Sequence, residues 1–304
     1  MSKNKFTNIK LHKYPISNEF GIYRMYKIPF SERIFANADK LMSVLPKTIK
    51  ETNKFSFKTK TVKSFDNEKI NIYIFEPKKV KTNKVLLYIH GGGFVYRGAK
   101  NHYDFCRKLA EEGICKTVFV DYRLAYKYKY PVPVEDAFAA YNYILKKEKN
   151  NKIIIGGDSA GGCLAIDVIR KAKEQDLKLP DFLLLLYPVL DKRMNTESMK
   201  KYTDTPVWNS VLNKKMWDLY LKNNNNYISP GEMDDVSFMP NTYIETAEYD
   251  CLHDESVEFA KKLKKANVNV ILNETRKTMH GFDMKNGKIT RKAVNERMEL
   301  IKSL

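Results

Sequence analysis

The sequence predicts an α/β fold built on a mostly parallel sheet with helices on both faces. Two observations carry this reading. From Lys69 onward, short β-rich runs alternate with segments of helical periodicity, and four of those runs are continuously apolar, as strands covered on both faces must be. Length adds a third: 304 residues suffice for one large α/β domain with insertions, without a second independent domain.

Residues 70–75 alternate apolar and polar as a half-exposed strand. Residues 85–89, 117–120, 153–155 and 182–186 read as central strands, and 242–246 and 268–272 complete the set. Between them, residues 103–112, 134–147, 160–174, 255–266 and 289–301 carry apolar side chains at helical spacing and are expected to cover the sheet. Two stretches break the alternation: residues 1–60, and residues 191–237, which hold both tryptophans and the run Asn223 to Asn226. They are expected to be additions to a single core formed by residues 61–190 and 238–304.

The chain carries 54 Lys and Arg against 36 Asp and Glu, a formal charge of +18. Short helical patches such as Lys261, Lys262, Lys264 and Lys265 account for much of it, and a solvated outer face explains them. With no RNA-binding aromatic signature, zinc-finger spacing or basic arm, no nucleic-acid partner is expected. Cys106, Cys115, Cys163 and Cys251 show no paired spacing and read as free thiols, and no metal site is expected. Residues 1–15 lack the apolar segment of a secretory signal, so a cytoplasmic location is expected. The longest apolar stretch, residues 182–190, is about half of what a membrane-spanning helix needs, so no integral membrane association is expected. A homodimer is compatible with the sequence and not required by it.

The chemistry begins at Gly157-Asp158-Ser159-Ala160-Gly161, which follows the strand 153–155 and opens the helix at Ala160. This is a G-x-S-x-G elbow in strand-turn-helix context. A tight turn lifts the Ser159 hydroxyl above the sheet, flanking glycines remove Cβ atoms that would collide with backbone, and the helix places its positive end beneath the reacting oxygen. A second motif, His90-Gly91-Gly92-Gly93-Phe94, directly follows the strand 85–89. Its amide groups suit the stabilisation of an oxyanion, with Gly91, Gly92, Gly93 and Ala160 as the expected donors and Gly92, Gly93 and Ala160 preferred. Together the motifs point to nucleophilic acyl transfer.

Five histidines are present: His12, His90, His102, His253 and His280. An elbow of this kind orders its partners as Ser, acid, His, which leaves His253 and His280. His253 lies almost against the expected acid, so His280, in Met279-His280-Gly281-Phe282, is the expected base. The expected acid is Asp250, just beyond the strand 242–246. Asp254 is the alternative, although it and Glu255 open a helix, where carboxylates are favourable without any catalytic role.

These residues resemble the hormone-sensitive-lipase family of α/β-hydrolase carboxylesterases: the glycine-rich segment after His90, the run Gly157 to Gly162 and the segment around His280. Val120-Asp121-Tyr122-Arg123-Leu124-Ala125, Val134-Glu135-Asp136-Ala137 and Tyr187-Pro188 extend the similarity from about residue 84 to the C-terminus. The resemblance implies an α/β-hydrolase core under a helical cap drawn from the N-terminus and from an insertion after Pro188, acting without a cofactor on short- to medium-chain esters. Two departures stand out: Tyr126-Lys127-Tyr128-Lys129-Tyr130-Pro131 replaces the usual Pro, acidic residue and His, and Cys251 stands where a Pro commonly follows the acid. Phe94, Tyr187, Trp208 and Trp217 are the expected substrate contacts, and Phe6, Phe20, Tyr23, Tyr26, Phe30, Phe35 and Met216 are further apolar side chains available to the pocket or to ordinary core. Hydrolysis of small acylated amides, or ligand binding on an inactive hydrolase fold, are the alternatives to ester hydrolysis; a small-molecule ester is the expected partner.

Overall fold

The computed structural model describes residues 13–80, 82–149 and 151–304. Eight strands form one sheet: β1 (Phe55–Lys63), β2 (Lys69–Pro77), β3 (Lys84–Ile89), β4 (Lys116–Asp121), β5 (Lys152–Asp158), β6 (Phe182–Leu186), β7 (Asn241–Tyr249) and β8 (Val270–Met279). Their order across the sheet is β1-β2-β4-β3-β5-β6-β7-β8. β2 pairs antiparallel with β1 and β4, and every other pairing is parallel.

The helices are α1 (Glu32–Met42), α2 (Lys100–Glu111), α3 (Val132–Lys147), α4 (Ala160–Glu174), α5 (Glu197–Lys201), α6 (Ser210–Leu221), α7 (His253–Lys265) and α8 (Lys288–Ser303). Alternation along β3 shows why its run is apolar throughout. Val85, Leu87 and Ile89 join a core that includes Val134 and Ile144 of α3, Leu164 of α4 and Phe259 of α7, whereas Leu86 and Tyr88 join a second core with Phe105 of α2 and Ile301 of α8. Successive side chains point to opposite faces, and both faces are covered.

Every expected strand and covering helix is present, with two differences at the sheet edges. β1 was not expected, and it runs across the boundary drawn at residue 60. It is an edge strand whose Lys58, Lys60 and Lys63 face solvent, so its sequence carries little apolar alternation. β8 continues past residue 272 to Met279, and the expectation stopped short because residues 273–277 of this other edge strand are all polar and carry no apolar pattern. The segment between β6 and β7 contributes α5 and α6, and α1 precedes the sheet. The four cysteines are unpaired and buried. No helix among the described residues is long and apolar enough to cross a membrane. The expectations resting on His12, Phe6 and the opening dozen residues lie outside the described residues.

Chain order reverses its direction of travel across the sheet between β3 and β5: β4 lies on one side of β3, and β5 to β8 follow on the other. Ligands of open α/β sheets bind in the crevice beyond the strand C-termini at such a switch point. Here that crevice receives the turn after Ile89 and the turn after Asp158.

Candidate active site

Ser159 occupies the turn between β5 and α4 with φ 52° and ψ −123°. For a residue with a Cβ this is a sparsely populated conformation, costing on the order of 1–3 kcal/mol, and it persists only where the surroundings enforce it. They do so here: the Ser159 N–H donates to Leu186 C=O at 2.8 Å, and its carbonyl accepts from Val189 and Gly162 at 3.0 Å each. A Cβ built on Gly157 would stand 2.2 Å from the Ile89 carbonyl oxygen, and one on Gly161 only 2.0 Å. Glycine at both positions lets β5 and α4 close against the end of β3.

The structure brings Ser159, His280 and Asp250 into one hydrogen-bonded line. His280 Nε2 lies 2.9 Å from Ser159 Oγ, and His280 Nδ1 lies 2.6 Å from Asp250 Oδ2. With Nδ1–H donating to the carboxylate, Nε2 is left to accept the hydroxyl proton. All three side chains are buried. Asp250 is fixed further by the Leu252 N–H, which donates to Oδ1 at 3.0 Å, and the rings of Tyr187 and Trp208 flank His280 at 5.0 and 6.0 Å. The alternative acid, Asp254, is engaged elsewhere: it pairs with His253 at 2.8 Å and accepts from the Ser198 N–H at 2.7 Å.

Above Ser159 the loop after β3 presents Gly92 and Gly93, both at positive φ, 101° and 59°. Their N–H groups and that of Ala160 have no acceptor among the described residues. Gly91 departs from expectation. Its N–H donates to Asp158 Oδ1 at 3.0 Å, so it is already committed and is not free to bind an oxyanion. Sequence order alone does not reveal this, because it depends on the register that sets Ile89 beside Gly157. Asp158 also accepts from Tyr88 Oη at 2.8 Å and faces His102 Nε2 at 3.2 Å. Burial alone would raise its pKa, but His102, Tyr88 and the Gly91 N–H outweigh burial and hold it at about 2. His90 sits behind the loop, stacked 4.2 Å from Tyr122, with Nδ1–H donating to the Gly91 carbonyl at 2.8 Å. Burial, with His102 nearby, lowers its pKa to about 3, so it is neutral.

Ser159 and His280 lie on the floor of a cavity of about 370 Å³. Two of the four expected substrate contacts, Tyr187 and Trp208, line it. Phe94 and Trp217 do not: Phe94 stacks on Tyr220 at 3.9 Å and Trp217 packs 6.0 Å from Phe94. Of the remaining apolar candidates, Tyr26 reaches the cavity, whereas Phe20, Phe35 and Met216 are core. Most of the outer wall comes from a region without a motif, chiefly Ile28, Pro29 and the α1 residues Ile34, Ala38 and Leu41. The only signal there was the helical spacing of these last three, which is equally compatible with core.

The chain belongs to the alpha/beta hydrolase fold family, whose model matches residues 86–284. The family expected from the motifs is thereby borne out. Esterase LipI of Mycobacterium tuberculosis is 30% identical over 208 residues, 65% of this chain and 65% of that protein, and an ethyl acetate hydrolase of Pseudomonas putida is 27% identical over 224 residues, 68% of each. Among solved structures, a bacterial heroin esterase superposes with a TM-score of 0.80 at 28% identity, covering 95% of this chain and 98% of that one. The match spans about two thirds of the length of these curated relatives.

Proposed function

We propose that this chain is a carboxylesterase that cleaves short- to medium-chain carboxylic esters through an acyl-enzyme on Ser159. The observation that carries the reading is the line Ser159–His280–Asp250 beneath the amides of Gly92, Gly93 and Ala160, on the floor of an apolar cavity. Ser159 Oγ attacks the ester carbonyl as His280 Nε2 takes its proton, and Asp250 holds the ring in the accepting tautomer and stabilises the imidazolium. The three amides receive the negative charge that develops on the carbonyl oxygen. His280 returns the proton to the departing alcohol, and a water activated by the same nitrogen cleaves the acyl-enzyme. Tyr187 and Trp208 border the reacting atoms. The esterase names of the relatives support the class of bond cleaved. A cytoplasmic location belongs to the same reading, supported by four unpaired thiols in the core.

The test is hydrolysis of p-nitrophenyl acetate, butyrate, octanoate and palmitate by the wild type and by Ser159→Ala. Activity on the shorter esters that falls by about 10³-fold or more in a folded variant supports the assignment. A folded wild type that turns over none of the four overturns it.

A further inference from the structure

The exposed apolar side chains of this protein are unevenly distributed. Ile22, Met25, Tyr26, Ile34, Leu41 and Val44 all fall within residues 22–44, and Ile22 and Leu41 are each 74% exposed. The others, among them Phe65, Tyr128 and Ile271, are dispersed along the rest of the chain, as is usual for a soluble surface. Tyr26, Ile34 and Leu41 line the cavity over Ser159, so part of this apolar stretch borders it. On α1, Phe35 turns to the core while Ile34, Ala38 and Leu41, one and two turns apart, form a second stripe along the cavity.

The same stretch of chain is rich in cations. Arg24, Lys27, Arg33, Lys40, Lys47 and Lys50 fall within residues 22–50 against only Glu32 and Asp39. Neighbouring carboxylates are already engaged: Asp39 by Arg97, Asp204 by Lys13 and Glu51 by Lys78. Met25 shares a groove with Lys13, Arg24 and Lys27. Exposed apolar side chains in a stretch of cations that have no ion-pair partner among the described residues are the chemistry of a surface that enters the headgroup layer of an anionic membrane.

We infer that the mouth of the cavity docks on anionic phospholipid surfaces through Ile22, Met25, Val44 and the cations of the same stretch. Docked in this way, the cavity opens toward the lipid, and an apolar ester dissolved there reaches Ser159 without crossing water. The association is peripheral and reversible.

Co-sedimentation of the full chain with phosphatidylcholine vesicles, with and without phosphatidylglycerol, tests this without any substrate, so its outcome is independent of the esterase assignment. Binding should be at least about tenfold tighter to the anionic vesicles and weaken as salt rises towards ~0.5 M. The triple variant Ile22→Ser, Met25→Ser, Val44→Ser and the pair Arg33→Glu, Lys40→Glu should each lose most of it. None of these five residues lines the cavity, so turnover of soluble p-nitrophenyl acetate should persist and report folding. Absence of pelleting, equal binding to neutral vesicles, or undiminished binding by the folded charge-reversed pair overturns the inference; so does capture of acidic proteins in preference to anionic vesicles.

Discussion

Asp158 shows how one carboxylate can organise a reaction centre it does not take part in. It stands beside Ser159, accepts the Gly91 N–H and the Tyr88 hydroxyl, and faces His102. The Ala99 N–H donates to His102 Nδ1 at 3.0 Å, so the ring proton lies on Nε2 and points at Asp158. This anchors the loop whose next two amides overhang Ser159. Asp158→Asn keeps the shape but can turn its amide N–H group toward another donor, either His102 Nε2–H or Gly91 N–H. The loop then loses its anionic anchor. Steady-state kinetics on p-nitrophenyl acetate should show kcat lower by about 10- to 100-fold with KM changed little, since the amides act chiefly on the developing charge. An unchanged kcat would remove Asp158 from this positioning role.

Helix α4 carries the strained serine at its N-terminus and an acidic residue deep in its middle. Asp167 is fully buried, with Tyr227 Oη donating to Oδ2 at 2.8 Å and Arg170 at 2.8 Å from Oδ1. Burial raises its pKa to about 6, and Arg170 offsets this only in part. Because the folded value lies above that of the unfolded chain, the stability contributed by this group is fully present below pH ~4 and is lost as pH rises through 6. Asp167→Asn abolishes the titration. Denaturant unfolding should therefore show the variant gaining roughly 2 kcal/mol relative to wild type between pH 4 and pH 7; a constant difference would place the ionisation elsewhere. The same helix marks what could be read from sequence. α4, the central strands and Ser159 were legible because burial on both faces and a glycine-flanked elbow leave strong patterns. Asp250 and His280 followed from chain order, and the structure separates Asp250 from Asp254. β1 and the polar half of β8 left no pattern because edge strands need none. The commitment of the Gly91 N–H and the burial of Phe94 and Trp217 were also hidden, since each depends on which neighbour the register brings alongside. A helix such as α1, with one apolar stripe to the core and another to a cavity, does not announce which stripe is which.

Across the whole molecule, the N-terminal segment is a working wall of the cavity, held over the sheet by a few long-range ties. Arg97 bridges Asp39 of α1 and Asp121 at the end of β4. Glu19 accepts the Ile289 N–H at the start of α8 at 3.0 Å, and Tyr126 Oη donates to Asp39 at 2.6 Å. These ties fix the distance from Ser159 to the α1 stripe, and on the proposed mechanism that distance limits the length of the acyl chain. Beside the reacting atoms there is little room: a Cβ on Gly93 would stand 2.8 Å from the Trp208 ring. Ala38 is the smallest side chain of the stripe at the cavity wall, so Ala38→Trp should fill the part of the cavity along α1 while leaving the reacting groups in place. The kcat/KM for p-nitrophenyl octanoate should then fall by at least about tenfold, comparable to the loss of one or two methylene contacts, with that for the acetate changing by no more than about threefold. An equal fall for both esters would mean that the acyl chain does not lie along α1 and that the N-terminal wall serves the alcohol or only the entrance.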